Sequence, residues 1–485
     1  MSNLDWRVCS RARLTRDPRF DGKFFIGVRG SGVYCRPICP APTAKEKNCT
    51  YFATAAAASE AGYRPCLRCR PESSPGTPAW LGTSTTVSRA LRLIDESGLE
   101  QDGVEGLAAR LGVGARHLRR LFLRHLGATP SAIAQTRRVH FAKKLIDETN
   151  LPMTELAIAA GYGSVRRFNA AIRKTYHRTP TQIHALARQT KSLPENHYLF
   201  RLRFRPPYDW KGVLSFLASS AIPGIEIVDG TSYRRTISLN GCDGAFEISL
   251  DAKHPALLAR IQFGDPRTLF FIVERIRALF DLNGDWARVA KVLAPDPLLG
   301  PRVRSRPGVR VPGCWNGFEL AVQTVLAQGC ADGASAAGRV ARDFGRQFFA
   351  GLGLTHLFPD PETLAEAELE CAGIPGGCSK SIRALATAVR SGQIAFDRAG
   401  ESRAFVAGLR KITGMDESTA QYVAMRALGE PDIFPIRNKA LKVKSASWCP
   451  WRAYAAMYLW NESGGDALAH AKRSPHRATR RRRVS

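Results

Sequence analysis

Residues 19–72 read RFDGKFFIGVRGSGVYCRPICPAPTAKEKNCTYFATAAAASEAGYRPCLRCRPE, and their cysteines decide how the front of the chain folds. Cys35 and Cys39 are separated by three residues, and Cys66 and Cys69 by two. Two such pairs on turns can close a tetrahedral sphere of sulfur around one Zn²⁺. On spacing alone the arrangement fits a purely structural zinc ribbon as well as a reactive site. Cys9 and Cys49 lack a partner at ligand spacing and are expected to be ordinary buried thiols.

The whole chain of 485 residues is too long for one core, and about three domains with a further region attached are expected. Lys and Arg number 71 against 42 Asp and Glu, giving a formal net charge of +29 and a pI near 10.2. That balance suits a polyanion such as nucleic acid, although composition alone would also suit a membrane surface. No run of about 18 apolar residues occurs, and residues 1–17 mix charges where a signal peptide needs an apolar core. A cytoplasmic protein with no membrane partner is therefore expected. In a reducing compartment, 12 cysteines point to metal ligands or nucleophiles rather than to a disulfide framework.

Three punctuated stretches divide the chain: Pro71–Pro78 is a Pro/Ser/Gly linker, Gln189–Asn196 follows a helical block, and Leu298–Pro312 is a Pro- and Arg-rich passage. Between the first two, apolar residues recur at helical spacing. VEGLAARL (104–111), a glycine turn and ARHLRRLFLRH (115–125) form one helix-turn-helix pattern, repeated by 153–160, Gly161-Tyr162-Gly163 and SVRRFNAAIRKTY (164–176). A second helix of this kind can enter a major groove. Arg116, His117, Arg119, Arg120, Ser164, Arg166, Arg167 and Asn169 are the candidates for groove or phosphate contacts. After residue 196, runs such as YLFRLRF and YRRTISL alternate as strands, and the region beyond 312 returns to helical patterning. The end, 472–485, is a basic tail expected to be a disordered charged terminus.

Along its whole length the 19–72 segment resembles the zinc domain of the Ada family. The resemblance rests on the Phe20-Asp21-Gly22 turn, Gly32–Pro37, the Ala-rich stretch and Arg64–Pro71. It implies that Cys35, Cys39, Cys66 and Cys69 bind one Zn²⁺ and that Cys35 accepts a methyl group from a DNA methyl phosphotriester. A metal-held thiolate is a nucleophile at neutral pH, and the thioether it forms has no route back, so the reaction would be stoichiometric. Four thiolates around Zn²⁺ leave a dianion and methylation leaves a monoanion, so DNA affinity is expected to rise with methylation.

The block from Thr85 to Arg188, ending in a Thr-Pro step, resembles the AraC family, which implies transcriptional activation with promoter DNA and RNA polymerase as partners. RPPYDW and AIPGIE, within 198–298, are similar to the N-terminal domain of AlkA-type DNA glycosylases. The stretches 311–328, 409–435 and 450–460 are similar to their helix-hairpin-helix fold. In the hairpin, Gly414 and Asp416 flank the turn that would face a DNA phosphate through backbone N–H groups, and Tyr422 matches a DNA-contacting position. The resemblance also implies a catalytic Asp soon after Phe434-Pro435, but Asn438 stands there, and a neutral amide cannot stabilise an oxocarbenium ion. The segment usually reading GQQVS is Ala327-Gln328-Gly329-Cys330-Ala331, and Ser418 replaces the usual Lys or Trp. No Pro-Cys-His-Arg motif for O6-methylguanine repair occurs.

These readings combine into a multidomain protein, mainly α with α+β parts. Its expected domains are a small α/β zinc domain (1–78), an α-helical AraC-type domain with two helix-turn-helix units (84–190), an α+β AlkA-like domain (196–300), an α-helical helix-hairpin-helix domain (301–470) and the tail (471–485). The expected function is methyl phosphotriester repair coupled to activation of alkylation-response genes. The alternatives are a regulator with structural zinc and no repair activity, or a working 3-methyladenine glycosylase with accessory DNA-binding domains.

Overall fold

Small residues set against aromatic ones shape the first sheet. The computed structural model describes residues 5–75, 85–97, 99, 103–186, 193–351, 353–396, 402–413 and 415–460. Helix α1 (Trp6–Leu14) leads to strands β1 (Phe25–Val28), β2 (Val33–Cys35) and β3 (Cys49–Phe52), then α2 (Ala55–Glu60) and β4 (Arg64–Pro65). The sheet order is β3-β1-β2-β4. Gly27 in β1 is required by space, because a Cβ there would lie 2.8 Å from the rings of Phe52 and Tyr63. Helix α2 starts where the Thr54 hydroxyl accepts from the Ala57 N–H, and its four alanines are buried.

Two similar helical units follow. The first holds α3 (Thr85–Ser97), α4 (Gly103–Arg110) and α5 (Ala115–Leu126). The long α6 (Pro130–Glu148) joins it to α7 (Met153–Ala159), α8 (Val165–Tyr176) and α9 (Pro180–Leu186). The second helices bury matching stripes, Leu118, Phe122 and Leu126 in α5 against Phe168, Ile172 and Tyr176 in α8, at the four-residue spacing of one helix face. Each ends on a left-handed residue, Gly127 at φ 71° and His177 at φ 54°, which closes the helix before a Thr-Pro step begins the next.

A five-stranded antiparallel sheet comes next, in the order β5-β9-β8-β7-β6. It comprises β5 (His197–Arg203), α10 (Trp210–Ala218), β6 (Glu226–Val228), β7 (Ser232–Leu239), β8 (Cys242–Leu250) and β9 (Ala256–Phe263), followed by α11 (Leu269–Leu279). The remaining described chain is helical apart from one hairpin: α12 (Trp286–Leu293), α13 (Gly300–Ser305), α14 (Gly317–Gly329), α15 (Gly333–Phe344), β10 (Gln347–Gly351), β11 (Leu354–His356), α16 (Pro361–Glu366) and α17 (Gly376–Arg390). It closes with α18 (Ser402–Thr413), α19 (Glu417–Ala427), α20 (Lys439–Lys444) and α21 (Arg452–Trp460). One apolar core runs from α6–α8 through this sheet into the last helices, while α2 and the first helical unit share a second core.

Two of the punctuated stretches are built into the interior, the expected linker after the zinc-site cysteines among them. Pro71–Ser73 forms a 3-10 turn whose Glu72 side chain is buried. Residues 76–78 of that stretch, 189–192 of the second and the basic tail lie outside the described residues. The third, Leu298–Pro312, contains α13 and buries Leu299, Val303, Val309 and Arg310. Arg310 donates to the carbonyls of Gly308, Val309, Arg205 and Pro207 at 2.9–3.3 Å. The guanidinium also lies 4.9 Å from the Tyr208 ring centre. A buried cation held by backbone oxygens is a seam within the core.

Replacing Arg310 by Met keeps the volume and strands those carbonyls. Urea unfolding should show a loss of about 3 kcal/mol, the scale of an unsatisfied buried polar network.

Candidate metal centre and nucleic-acid interface

Strand register brings the cysteines together. β2 and β4 pair in parallel, Val33 with Arg64 and Tyr34 with Pro65, so Cys35 and Cys66 follow at the same end of the sheet. The Cys66 N–H donates to the Tyr34 carbonyl at 3.0 Å. Two turns then return the chain, Cys39 N–H to Arg36 O and Arg70 N–H to Cys66 O, both at 3.1 Å. The result is a cluster of Cys35, Cys39, Cys66 and Cys69 with all four sulfurs within 4.8 Å of one another. Among the described residues it is the one such group of potential metal ligands.

The charge state of this cluster fits a dication. Hydrogen bonding among the sulfurs, to Cys39 foremost, pushes Cys35 up, and the same contacts, from Cys35 foremost, raise Cys69. Cys39 is lowered to about 7 and Cys66 is lowered further, in each case chiefly by the hydrogen bond with Cys35. Alone, the four thiols can share few negative charges. Zinc bound by all four would hold them as thiolates at neutral pH. Cys9 is buried, as expected, and Cys49 is half-buried, and neither joins the cluster.

The loops that carry the ligands are fixed by Arg36 and Asp21. Arg36 donates to Asp21 in a fully buried pair, and its guanidinium also donates to the Cys69 carbonyl at 2.9 Å. The Arg36 backbone N–H points at the Cys69 sulfur, 3.4 Å away. Gly22 follows Asp21 at φ 73°, where a Cβ would fall 2.1 Å from the Pro75 carbonyl oxygen.

Sequence reading missed how firmly this centre is attached to α6. Tyr34, beside Cys35, is fully buried and shares a 2.8 Å hydrogen bond with Nε2 of His140. Arg70, directly after Cys69, pairs with Asp147 at 2.5 Å and Glu148 at 3.6 Å. Glu72 pairs with Lys143 at 3.5 Å. The only sequence signal was a run of charged residues with a lone His on a helix that also carries an apolar stripe. Beside the centre, a cleft of about 470 Å³ is lined by Arg64 of β4, Arg68 in the turn after it, and His177 and Arg178 just past α8, so three arginines border one space.

The helix-turn-helix candidates are exposed as a group: Arg116, His117, Arg119 and Arg120 on α5, and Ser164, Arg166, Arg167 and Asn169 at the start of α8. Ser164 is the N-cap of α8, its hydroxyl accepting from the Arg167 N–H at 3.3 Å. Arg119 reaches Glu105 at 2.8 Å and Arg120 reaches His117 at 3.0 Å.

In the hairpin, Gly414 lies outside the described residues. Asp416 is the N-cap of α19, accepting from the Thr419 N–H at 2.8 Å, and it pairs with Arg437. Tyr422 requires correction. It is buried, packs edge-on against Trp460 and bonds through its hydroxyl to Arg426 at 3.0 Å, so it presents no surface to a duplex. Aromatic character alone could not distinguish a core ring from a DNA-facing one. Asn438 is exposed and caps α20, its amide oxygen accepting from the Leu441 N–H at 3.1 Å. Ser418 is buried and ties α19 to the Pro435 carbonyl at 2.7 Å.

Family profiles agree with this order of parts. The metal binding domain of Ada matches residues 8–72, a helix-turn-helix domain 107–185, and the AlkA N-terminal domain 199–316. A Mycobacterium tuberculosis protein described as a probable bifunctional transcriptional activator/DNA repair enzyme AlkA is 37% identical over 478 residues, covering 94% of this chain and 96% of that protein. The chain belongs to this AlkA-type bifunctional family. Parts of it are also similar to two Escherichia coli proteins. DNA-3-methyladenine glycosylase 2 is 27% identical over 55% of this chain and 98% of its own length. The bifunctional activator and repair enzyme Ada is 38% identical over 26% of this chain and 34% of its own length. In this AlkA-type protein, no helix among the described residues is long and apolar enough to cross a membrane.

His140 gives the junction a pH signature. Desolvation lowers it to about 4, against an ordinary value near 6.5. Below pH 6.5 the unfolded chain takes up a proton that the folded chain refuses, so this group costs no stability above that value and progressively more down to about pH 4. Relative to a His140→Gln variant, wild-type thermal midpoints should fall more steeply from pH 6.5 to 4.5.

Proposed function

We propose that this protein removes methyl groups from DNA methyl phosphotriesters by transferring them to Cys35, and then acts as a transcriptional activator of alkylation-response genes. The observation that carries the reading is the four-sulfur cluster bound rigidly to the helix between two helix-turn-helix units. Cys35 Sγ attacks the methyl carbon, an S–C bond forms, the C–O bond breaks, and the phosphate diester leaves as an anion. Arg36 and Asp21 hold the ligand loops still while this happens, and the cationic cleft beside Cys66 seats the adjoining phosphates. Nothing in the cluster reverses a thioether, so each molecule reacts once.

The exposed cations of α5 and the start of α8 then engage promoter DNA, positioning the protein to recruit RNA polymerase. Removing one negative charge from the centre weakens its repulsion of phosphate, which favours double-stranded DNA after reaction. The AlkA-like half grips DNA without efficient base excision. Asp416 serves there by capping α19 rather than by touching phosphate. Asn438 supplies no negative charge at the position where the resemblance requires one, and its amide is engaged as a helix cap.

Incubating zinc-loaded protein with methylated duplex should add 14 Da, one methyl in place of one hydrogen, to the peptide carrying Cys35, and Cys35→Ala should take up none. Release of 3-methyladenine from the same DNA should stay near background for wild type and rise at least tenfold in Asn438→Asp, roughly 1.4 kcal/mol of restored transition-state stabilisation. An unmodified Cys35 peptide would rule out the transfer, and rapid base release by wild type would rule out the silent glycosylase.

A further inference from the structure

Two parts of the chain build the cleft beside Cys66. Arg64 and Arg68 form one wall, and the end of the second helix-turn-helix unit forms the other, with Tyr176, His177, Arg178 and Gln182. Helix α8 packs directly on β4, and Leu67 packs against the apolar core that contains Phe168, Ile172 and Tyr176. Buried apolar contact therefore holds the walls in place. Arg178 is fixed from both sides. His177 closes α8 in the left-handed region at φ 54°. Just beyond, the Gln182 side chain accepts from the Thr179 N–H at 2.9 Å and the Thr179 hydroxyl accepts from the Gln182 N–H at 3.2 Å, a reciprocal cap at the start of α9. Between these constraints the Arg178 side chain is exposed. Among the described residues Arg64, Arg68 and Arg178 form no ion pair, and no carboxylate borders the cleft. Like charges gathered in one space without a counter-charge repel one another until an anion enters.

We infer that Arg178 completes the phosphate seat of the methyl-transfer centre, so that the strand under repair is held by the zinc domain and the second helix-turn-helix unit together. The inference rests on the methyl transfer proposed above and adds to it the form of the substrate. A methyl phosphotriester is neutral, so an arginine recognises the charged phosphate beside it in the strand. Cys66 borders the cleft and its sulfur lies within 4.8 Å of that of Cys35. A strand whose triester meets Cys35 thus brings a neighbouring phosphate among the arginines.

The preferred substrate is then an internal triester with charged neighbours. A dinucleoside methyl phosphotriester has no such neighbour and lacks the group that Arg178 binds. The seat is also separate from the surface proposed to meet promoter DNA: Arg166 and Arg167 lie near the other end of α8, about 18 Å off, the length of a 12-residue helix.

The test uses the full, zinc-loaded chain and follows methyl uptake at Cys35 by mass spectrometry in single turnover. Three donors are compared: a duplex with one internal methyl phosphotriester, a dinucleoside methyl phosphotriester, and methyl iodide. Rates are expressed relative to methyl iodide, which has no phosphate to seat and reports the metal-held sulfur alone. In Arg178→Ala, uptake from the duplex should slow about tenfold at low salt, the scale of one charge-assisted contact. The slope of log rate against log salt should fall by about one, and the advantage of the duplex over the dinucleoside should narrow by the same factor. Arg178→Lys, which keeps the charge, should recover part of the rate. Equal duplex rates in wild type and Arg178→Ala, or a loss as deep in Arg178→Lys as in Arg178→Ala, overturn the seat and leave methyl transfer standing. No uptake from the duplex by wild type, with methyl iodide still reacting, overturns the transfer itself and the seat with it.

Discussion

Buried charge pairing between the metal centre and α6 is the constraint on which the front half of the molecule depends. Cys69 is followed at once by Arg70, and its turn by Glu72, and these two side chains meet Asp147, Glu148 and Lys143 on α6. Removing one partner from a buried pair typically costs about 3–5 kcal/mol, because the other is left uncompensated. Tyr34 adds a neutral link through His140, one residue from Cys35. The centre therefore cannot loosen from the helix that spaces the two helix-turn-helix units without exposing several charges. The same end of the molecule is also tied to the AlkA-like half, where Arg205 donates to the Asp21 carbonyl at 2.8 Å and Lys23 pairs with Asp285 at 2.7 Å.

Electrostatics then divides the labour. A chain of net charge +29 approaches DNA readily along most of its surface, and a cluster of four thiolates is an anionic exception within it. Methylation of Cys35, as proposed, would remove one of those negative charges. In the distal half the position where the resemblance requires a carboxylate carries a neutral amide, flanked in sequence by Arg437 and Lys439.

Legibility followed the range of the interactions. Cysteine spacing disclosed the metal ligands because the turns that hold them are local. Helical periodicity disclosed both helix-turn-helix units because Leu118, Phe122 and Leu126, like Phe168, Ile172 and Tyr176, form stripes within single helices. What escaped was long-range satisfaction of charge. Glu72 sits among prolines and serines and reads as a linker residue until Lys143 is placed beside it, and nothing in the Pro- and Arg-rich passage around Arg310 anticipates the backbone carbonyls from residues 205 and 207 that enclose it. Tyr422 was misread for the same reason, since its partner Trp460 lies in a different helix.

The central claim is that the charge of one sulfur at position 35 controls the grip on DNA. Its most direct test is the affinity of Cys35-methylated and unmodified protein for the same unmethylated promoter duplex, measured from low to high salt. The account requires the methylated form to bind more tightly at low ionic strength, with the advantage shrinking as salt shortens the reach of the lost charge. Superimposable binding curves at every salt concentration would contradict it.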